Sequence, residues 1–370
     1  MKYTRMPIEM EAPEGLGYHS IDCNLSESSF SDQRLGDLGL DLNNLLLVYS
    51  DHKGKPELRE VIAKEANLRA DDVLITSGAA SALFIVATSF LEPCDQVVVA
   101  KSNYATNLET PRMIGAKISF LNMRFEDGYK LNFEELEQLI TSDTKLVSLT
   151  YPHNPTGAVI TEEQLGELIQ LIERKNTYLL MDETYRDMTF GKAPPLAASL
   201  SDRVISISSM SKSHGLPGIR IGWIISQNKK LMETFLAAKE QIFITNSVVD
   251  EEIAFQYLLN KLRHLESVKQ TIIKNFNVLK TFMNSQSVLE WVEPKGGCVA
   301  FVRLKKEIDI DALKFHQVLL EKYKTYVGRG HWFEEDDRYF RIGYSWDKTE
   351  KLEKGLKNIL AVINEIREVK

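Results

Sequence analysis

Short β-branched runs alternate with helix-forming stretches between Asp71 and Ser226, and this alternation restricts the possible folds more than any other feature. The runs include "VLIT", "QVVVA", "KLVSLT", "TYLLM" and "RVISIS", and helical stretches separate most of them. Strands that alternate with helices build layered α/β structures with a mostly parallel sheet. We therefore expect an α/β fold whose large domain has a mostly parallel, mixed central sheet flanked by helices.

Two of the helical stretches carry clear start signals. The stretch "TEEQLGELIQLIERK" begins with Thr161 as N-cap, has glutamates in its first turn and places Leu165 and Leu168 on one face. The stretch "HKGKPELREVIAKEAN" places Pro56 in the first turn, where a missing N–H costs nothing. Both stretches are therefore predicted to be helices.

The pattern changes after about Asp250, where long amphipathic helices are followed by a smaller α+β region. Its strands are expected near "CVAFVRL", "TYVG" and "RYFRIGYS", with a terminal helix from Asp347, whereas the first forty-odd residues show no strong periodicity. We predict a large domain over residues 46–270. A small α+β domain would combine residues 1–45, as an N-terminal arm, with residues 271–370.

Composition narrows the class of function. The chain has 370 residues, 44% of them hydrophobic, which is enough for about two domains with a large core. Its net charge is -7, and no basic run interleaved with aromatic residues suggests a nucleic-acid surface. The longest apolar run, Ala82 to Leu91, is too short to span a bilayer, and the acidic start lacks a signal-peptide core. We expect a cytoplasmic protein with no nucleic-acid or membrane partner.

The three cysteines indicate neither a disulfide framework nor a metal site. Cys23, Cys94 and Cys298 are odd in number, lie far apart and show no Cys/His spacing typical of zinc. We therefore expect no bound metal.

Polar and small residues follow four of the predicted strands. "VLIT" is followed by "SGAAS", and "KLVSLT" by Asn154 in "YPHNPTG". "TYLLM" is followed by Asp182 and Tyr185, and "RVISIS" by Ser209 and Lys212. Because the carboxyl ends of parallel strands face one crevice, these groups should converge there.

Each group also has a simpler structural interpretation when it is taken alone. "SGAAS" can be a capped helix start, and "NPTG" a plain β-turn. Tyr185 can be a half-buried core residue, Lys212 a solvated loop cation, and Arg220 the partner of a nearby carboxylate. Only the joint arrangement favours a catalytic site.

The chemistry of pyridoxal 5′-phosphate requires all of these groups together. A lysine such as Lys212 holds the cofactor aldehyde as a Schiff base, and a buried carboxylate such as Asp182 keeps the ring nitrogen protonated. Asn154 and Tyr185 could donate to the ring O3′. The phosphate needs a helix N-terminus, small residues, a hydroxyl and a guanidinium. Five residues fit that requirement: Gly78, Ala79, Ala80, Ser209 and Arg220.

At these spacings, the segments "SMSKSHGLPGIRIGW", "YPHNPTG", "DETYRD" and "SGAASAL" resemble the fold-type I pyridoxal-phosphate aminotransferases of classes I and II. "YSDHKGKPELREVIA" is similar to an early helix of that family, "PKGGCVAFVRL" to its Pro-x-Gly-Gly strand, and "FRIGYS" to its carboxylate-binding arginine segment. The resemblance covers most of the chain and implies an aspartate-aminotransferase-like fold.

The resemblance also implies a role for individual residues. Lys212 would form the internal aldimine and move the proton between the substrate Cα and the cofactor C4′, while Tyr104 would stack on the ring. Arg341 would bind the substrate α-carboxylate beside Asn154. Tyr49 would reach the phosphate of a neighbouring subunit, which implies a homodimer with shared active sites.

The sequence departs from the family pattern at three places. Ala80 stands where relatives often carry a hydroxyl or amide, and Arg329 stands where a proline is usual. One hypothesis gives Arg329 or His331 a part in side-chain selectivity, against the alternative of a solvated loop. The segment "IDCNLSESSFSD" occupies the place of the substrate-covering loop but lacks its Gly-x-Pro.

The expected function is transfer of an amino group between an α-amino acid and a 2-oxo acid, through a Lys212 aldimine and a quinonoid. Other pyridoxal-phosphate reactions on an α-amino acid remain open at this point, namely elimination, cyclisation or oxidation, and racemisation. A non-catalytic module that senses the cofactor is a more remote alternative.

Overall fold

The computed structural model describes residues 2–346 and 348–368, so the predicted helix start at Asp347 lies outside the described residues. Its larger sheet has seven strands in the order β2-β8-β7-β6-β5-β3-β4. In chain order these strands are β2 (Val73–Thr76), β3 (Gln96–Lys101), β4 (Lys117–Asn122), β5 (Thr144–Thr150), β6 (Tyr178–Asp182), β7 (Val204–Ser209) and β8 (Gly222–Ile225).

The sheet is mixed because β8 runs antiparallel to both of its neighbours, β2 and β7, while the other neighbouring pairs are parallel. Side chains of a strand alternate between the two faces, and both faces of this sheet are buried. In β3, Val98 packs into one apolar core, whereas Val97 and Val99 pack into the core on the other face. The continuous apolar runs of the sequence therefore form a sheet covered on both sides, and the predicted fold class is confirmed.

Helices from the first 260 residues of the chain accompany this sheet. They are α3 (Pro56–Glu65), α4 (Gly78–Phe90), α5 (Thr106–Ile114), α6 (Phe133–Leu139), α7 (Glu162–Arg174), α8 (Lys229–Ile242) and α9 (Val248–Leu259). In α7 the Thr161 Oγ1 accepts from the Gln164 N–H at 3.1 Å, and the Gln164 side chain accepts from the Thr161 N–H at 3.0 Å. This reciprocal capping confirms the helix start that the sequence predicts.

The smaller sheet has five strands in the order β1-β11-β12-β10-β9 and joins the two ends of the chain. Its strands are β1 (Cys23–Leu25), β9 (Leu289–Trp291), β10 (Val299–Leu304), β11 (Thr325–Arg329) and β12 (Tyr339–Gly343). It packs with α10 (Lys261–Ser285), α11 (Ala312–Glu321) and α12 (Thr349–Glu368) around a core of its own. Strand β1 pairs in parallel with β11.

The domain boundaries after residues 45 and 270 stay a prediction, and the second of them falls within α10. Two single-turn helices, α1 (Pro7–Met10) and α2 (Pro13–Leu16), precede β1. Each begins with a proline and has a glutamate in its first turn. Among the helices formed by the described residues, none is both long enough and apolar enough to cross a membrane.

Candidate active site

A cleft of about 390 Å³ opens at the carboxyl ends of the central strands of the larger sheet. Except for Gly78 and Tyr49, all of the site residues predicted from the sequence line it. These lining residues are Ala79, Ala80, Tyr104, Asn154, Asp182, Tyr185, Ser209, Lys212, Arg220 and Arg341. The structure thus brings together the groups that the sequence places at the ends of four separate strands.

Asp182 is the last residue of β6 and is buried, with 7% of its surface exposed. Its carboxylate accepts hydrogen bonds from the Thr184 N–H at 3.0 Å and from the Thr184 hydroxyl at 2.5 Å. Burial raises the pKa of Asp182, while the Thr184 hydrogen bonds and the nearby charge of Lys212 oppose that rise. A buried carboxylate of this kind gains stability from a further cationic partner in the cleft.

Asn154 connects two other functional side chains. Its Nδ2 donates to the Tyr185 hydroxyl at 3.4 Å, and its Oδ1 accepts from Arg341 Nη1 at 2.9 Å. All three side chains are buried. The amide therefore fixes the Tyr185 phenol and the Arg341 guanidinium relative to each other.

Arg341 lies on β12 of the smaller sheet, with 3% of its surface exposed. Its Nη2 donates to the Ser26 carbonyl, and its guanidinium carbon lies 5.0 Å from the centre of the Phe333 ring. Within residues 2–346 and 348–368, its buried Nε finds no hydrogen-bond acceptor. A buried cation with an unused donor in a cleft is suited to bind an anionic oxygen.

Two close backbone approaches shape the start of α4. A Cβ added to Gly222 would lie 2.5 Å from the Gly78 carbonyl carbon. A Cβ added to Gly78, whose φ is +78°, would lie 2.5 Å from Arg220 Nη2. A side chain at position 222 would therefore press on the backbone that begins α4. One at position 78 would displace the Arg220 guanidinium from the helix N-terminus, where backbone N–H groups bind anions.

The loop that carries Lys212 is held by the segment that follows β1. The Phe30 N–H donates to the Lys212 carbonyl at 2.9 Å, and the Gln33 N–H donates to the Gly215 carbonyl at 2.9 Å. A Cβ on Gly215 would lie 2.3 Å from the Ser31 carbonyl oxygen. Residues 30–33, at the end of "NLSESSF" and just after it, therefore pack directly on the lysine loop.

The residues that the sequence analysis missed come mainly from the N-terminal segment, defined here as residues 7–28. Eight of its residues line the cleft: Ile8, Glu9, Ala12, Pro13, Glu14, Ser26, Glu27 and Ser28. The Tyr104 hydroxyl donates to Glu9 Oε1 at 3.1 Å, and burial raises the pKa of Tyr104 to about 12. The proline-glutamate starts in "MPIEM" and "APEG" were the available signal for α1 and α2.

Arg329 and His331 lie outside the lining of the cleft and instead hold the N-terminal segment in place. Both side chains pair with Asp337, His331 through its Nδ1 at 2.8 Å. The His331 Nε2 lies 3.1 Å from Glu11 Oε1, and the Trp332 indole donates to Glu11 Oε2 at 2.7 Å. Any effect of Arg329 or His331 on selectivity would therefore pass through the position of α1 and α2.

The fold and this set of groups define the class of pyridoxal-phosphate transferases of fold type I, and comparisons with known proteins agree. The family model "Aminotransferase class I and II" matches residues 33–359. An aspartate aminotransferase from Thermotoga maritima is 28% identical over 297 residues, covering 77% of this chain and 76% of that protein. A capreomycidine synthase from Streptomyces vinaceus is 27% identical over 364 residues, covering 92% of this chain and 90% of that protein.

A solved structure, described as a PLP-dependent aminotransferase from Streptococcus suis, superimposes with a TM-score of 0.91 at 26% identity and covers 99% of both chains. This chain belongs to the aminotransferase class I and II family. It is accordingly a pyridoxal-phosphate-dependent transferase of the aminotransferase type.

Proposed function

We propose that this cleft binds pyridoxal 5′-phosphate and moves an amino group between an α-amino acid and a 2-oxo acid. One observation carries the proposal: an amine on Lys212, a buried carboxylate on Asp182 and a buried guanidinium on Arg341 line the same cleft. They are the groups needed to hold an aldehyde, a pyridinium nitrogen and an α-carboxylate, respectively.

The residues present fit the cofactor. The Asp182 carboxylate, destabilised by burial, would pair with the ring nitrogen, and Asn154 and Tyr185 would donate to O3′. Tyr104, which lines the cleft, would stack on the ring. The phosphate would be held by backbone N–H groups and side chains of Gly78, Ala79, Ala80, Ser209 and Arg220.

When bound, the cofactor supplies an electron sink that makes the substrate Cα–H acidic. Lys212 Nζ serves as the base that removes this proton and as the acid that returns a proton. Arg341 binds the α-carboxylate with its positive charge and its unpartnered Nε, and Asn154 keeps the guanidinium in orientation. The N-terminal segment, which lines the cleft, would limit the access of water to the reacting atoms.

A homodimer with shared active sites is part of the proposal. Tyr49 is 83% exposed, and it ends an exposed apolar run formed by Leu46, Leu47 and Val48. Exposed apolar patches of this kind mark interfaces, and a second copy of the chain would cover this one. Tyr49 would then reach the partner's phosphate site. We place this enzyme in the cytoplasm.

One observation favours another reaction on the same cofactor: the Streptomyces vinaceus relative is named a synthase rather than a transaminase. The test is a single-turnover reaction of the cofactor-loaded protein with a panel of amino acids. Stoichiometric formation of pyridoxamine phosphate and a 2-oxo acid is the expected result. Release of ammonia, ring closure or racemised substrate without pyridoxamine phosphate would contradict amino-group transfer.

A further inference from the structure

Three carboxylates of the N-terminal segment, Glu9, Glu14 and Glu27, line the cleft. Glu9 accepts the hydrogen bond from the Tyr104 hydroxyl. Among the described residues, none of the three forms an ion pair with a lysine, arginine or histidine. The N-terminal side of the cleft therefore carries three carboxylates that no described cation contacts in an ion pair, while the charges of Lys212 and Arg341 act on Glu27 from beyond that range.

The cations that line the described cleft are Lys212, Arg220 and Arg341, and each already has a place in the proposed function. Arg220 lies against the start of α4, and its Nη1 donates to the Pro217 carbonyl at 2.8 Å. Arg341 is fixed by Asn154 and Ser26. No cation of this lining is left over for an acidic group on a substrate side chain.

Glu27 is the member of the three glutamates on which charges of both signs act. Burial raises the pKa of Glu27; Lys212 and Arg341 oppose that rise, whereas Glu14 and Asp32 add to it. Glu14 and Glu27 also both raise the pKa of Tyr18, after the effect of burial. Carboxylates gathered in a partly desolvated cleft repel one another, and a bound cation relieves that repulsion.

We propose that the substrate is an α-amino acid with a cationic side chain, whose guanidinium or ammonium group binds Glu27 and Glu14 while its α-carboxylate binds Arg341. The buried, unpartnered Nε of Arg341 marks the carboxylate end of the site independently of the glutamates. Acidic side chains are repelled from the same position, so aspartate and glutamate are poor amino donors. This inference rests on the proposed amino-group transfer.

The test compares each cationic amino acid with a neutral one of similar shape, using the cofactor-loaded protein in single-turnover reactions. L-arginine is paired with L-citrulline and L-lysine with L-norleucine, while L-aspartate serves as the acidic arm and L-alanine as the minimal substrate. We expect kcat/KM for arginine or lysine to exceed that of its neutral partner by about tenfold or more, since charge-assisted hydrogen bonds are lost in the neutral compound. The pair with the larger ratio shows whether the site prefers a guanidinium or an ammonium group on the substrate side chain.

Glutamate-to-glutamine variants, which are nearly isosteric, test whether Glu27 and Glu14 cause the preference for cationic substrates. Glu27→Gln should lower the cationic-to-neutral ratio about threefold, and adding Glu14→Gln should bring it close to one. Glu167→Gln, on an exposed position of α7, is the matched control and should keep the wild-type ratio. A ratio that survives in the double variant would overturn the assignment.

The outcomes also separate the two proposals. Reaction with L-alanine but a cationic-to-neutral ratio of one or less, or a preference for L-aspartate, overturns the cationic substrate and leaves amino-group transfer standing. No reaction with any amino acid on the panel overturns both.

Discussion

The side chain of Arg341 donates to Asn154 Oδ1 across 2.9 Å, and this hydrogen bond connects the smaller sheet to a loop at the end of a strand of the larger sheet. Arg341 lies on β12 of the smaller sheet, whereas Asn154 follows β5 of the larger one. The group proposed to bind the substrate α-carboxylate is therefore oriented by the group proposed to bind the cofactor.

Replacing the guanidinium is the direct test of that carboxylate site. Arg341→Lys keeps the charge but loses the planar donors that bind Asn154, the Ser26 carbonyl and a carboxylate together. We expect kcat/KM for the best amino acid to fall by roughly 10-fold to 100-fold, the equivalent of about 1.5–3 kcal/mol for hydrogen bonds to a charged group. Steady-state kinetics measures this.

The control for Arg341→Lys is the absorbance spectrum of the bound cofactor, which should be unchanged. An undiminished kcat/KM would show that the α-carboxylate binds elsewhere.

The close approach of β8 to the start of α4 gives a stability prediction. In Gly222→Ala the new Cβ meets the Gly78 backbone at 2.5 Å, so the strand and the helix must separate. We expect the free energy of unfolding to fall by about 1–3 kcal/mol, as for other overpacked sites. The affinity for the cofactor should fall as well, because the phosphate site shifts.

Denaturant unfolding and a cofactor titration measure both effects of Gly222→Ala. Gly218→Ala is the matched control, because a Cβ there meets nothing within 4 Å. Equal behaviour of the two variants would contradict the steric account of the phosphate site.

The strand-end groups could be predicted from the sequence because apolar alternation fixes the strands, and parallel strands bring their ends together. Asp182 and Lys212 are placed by their positions after "TYLLM" and "RVISIS". The glutamates of the N-terminal segment could not be placed in the same way. Helices α1 and α2 have four residues each, too short to show a period, and contacts distant in sequence position them. One such contact joins Tyr326 to the Glu11 carbonyl, 315 residues away.

The cluster that holds the N-terminal segment should depend on pH. The hydrogen bond to Asp337 raises the pKa of His331, and Glu11 adds to this, while burial and Arg329 oppose it. A histidine whose pKa is raised on folding stabilises the folded state. This stabilisation is complete below the pKa of the histidine in the unfolded chain, about 6.5, and is lost as the pH rises through its pKa in the folded protein.

Asp337 limits the same stabilisation at low pH. Burial acts against the charged carboxylate, but hydrogen bonds from His331 and Arg329 outweigh it and lower the pKa of Asp337. The contribution of Asp337 to the free energy of unfolding is complete above the pKa of an aspartate in the unfolded chain, about 3.9. It is lost as the pH falls through the lower pKa of Asp337 in the folded protein. Full stabilisation by the cluster is therefore expected between about pH 4 and 6.5.

His331→Gln tests this dependence. The difference in unfolding free energy between wild type and variant should be larger at pH 6 than at pH 9, as measured by urea unfolding. A difference that is the same at both pH values would show that His331 does not hold the segment through its charge.

The central claim is that Lys212 Nζ binds the cofactor aldehyde. The most direct measurement is borohydride reduction of the cofactor-loaded protein, followed by proteolysis and mass spectrometry of the labelled peptide. We expect a phosphopyridoxyl group on the peptide that contains Lys212, and no labelled peptide from Lys212→Ala. A label on another lysine of the wild-type protein, or none at all after loading, would contradict the account.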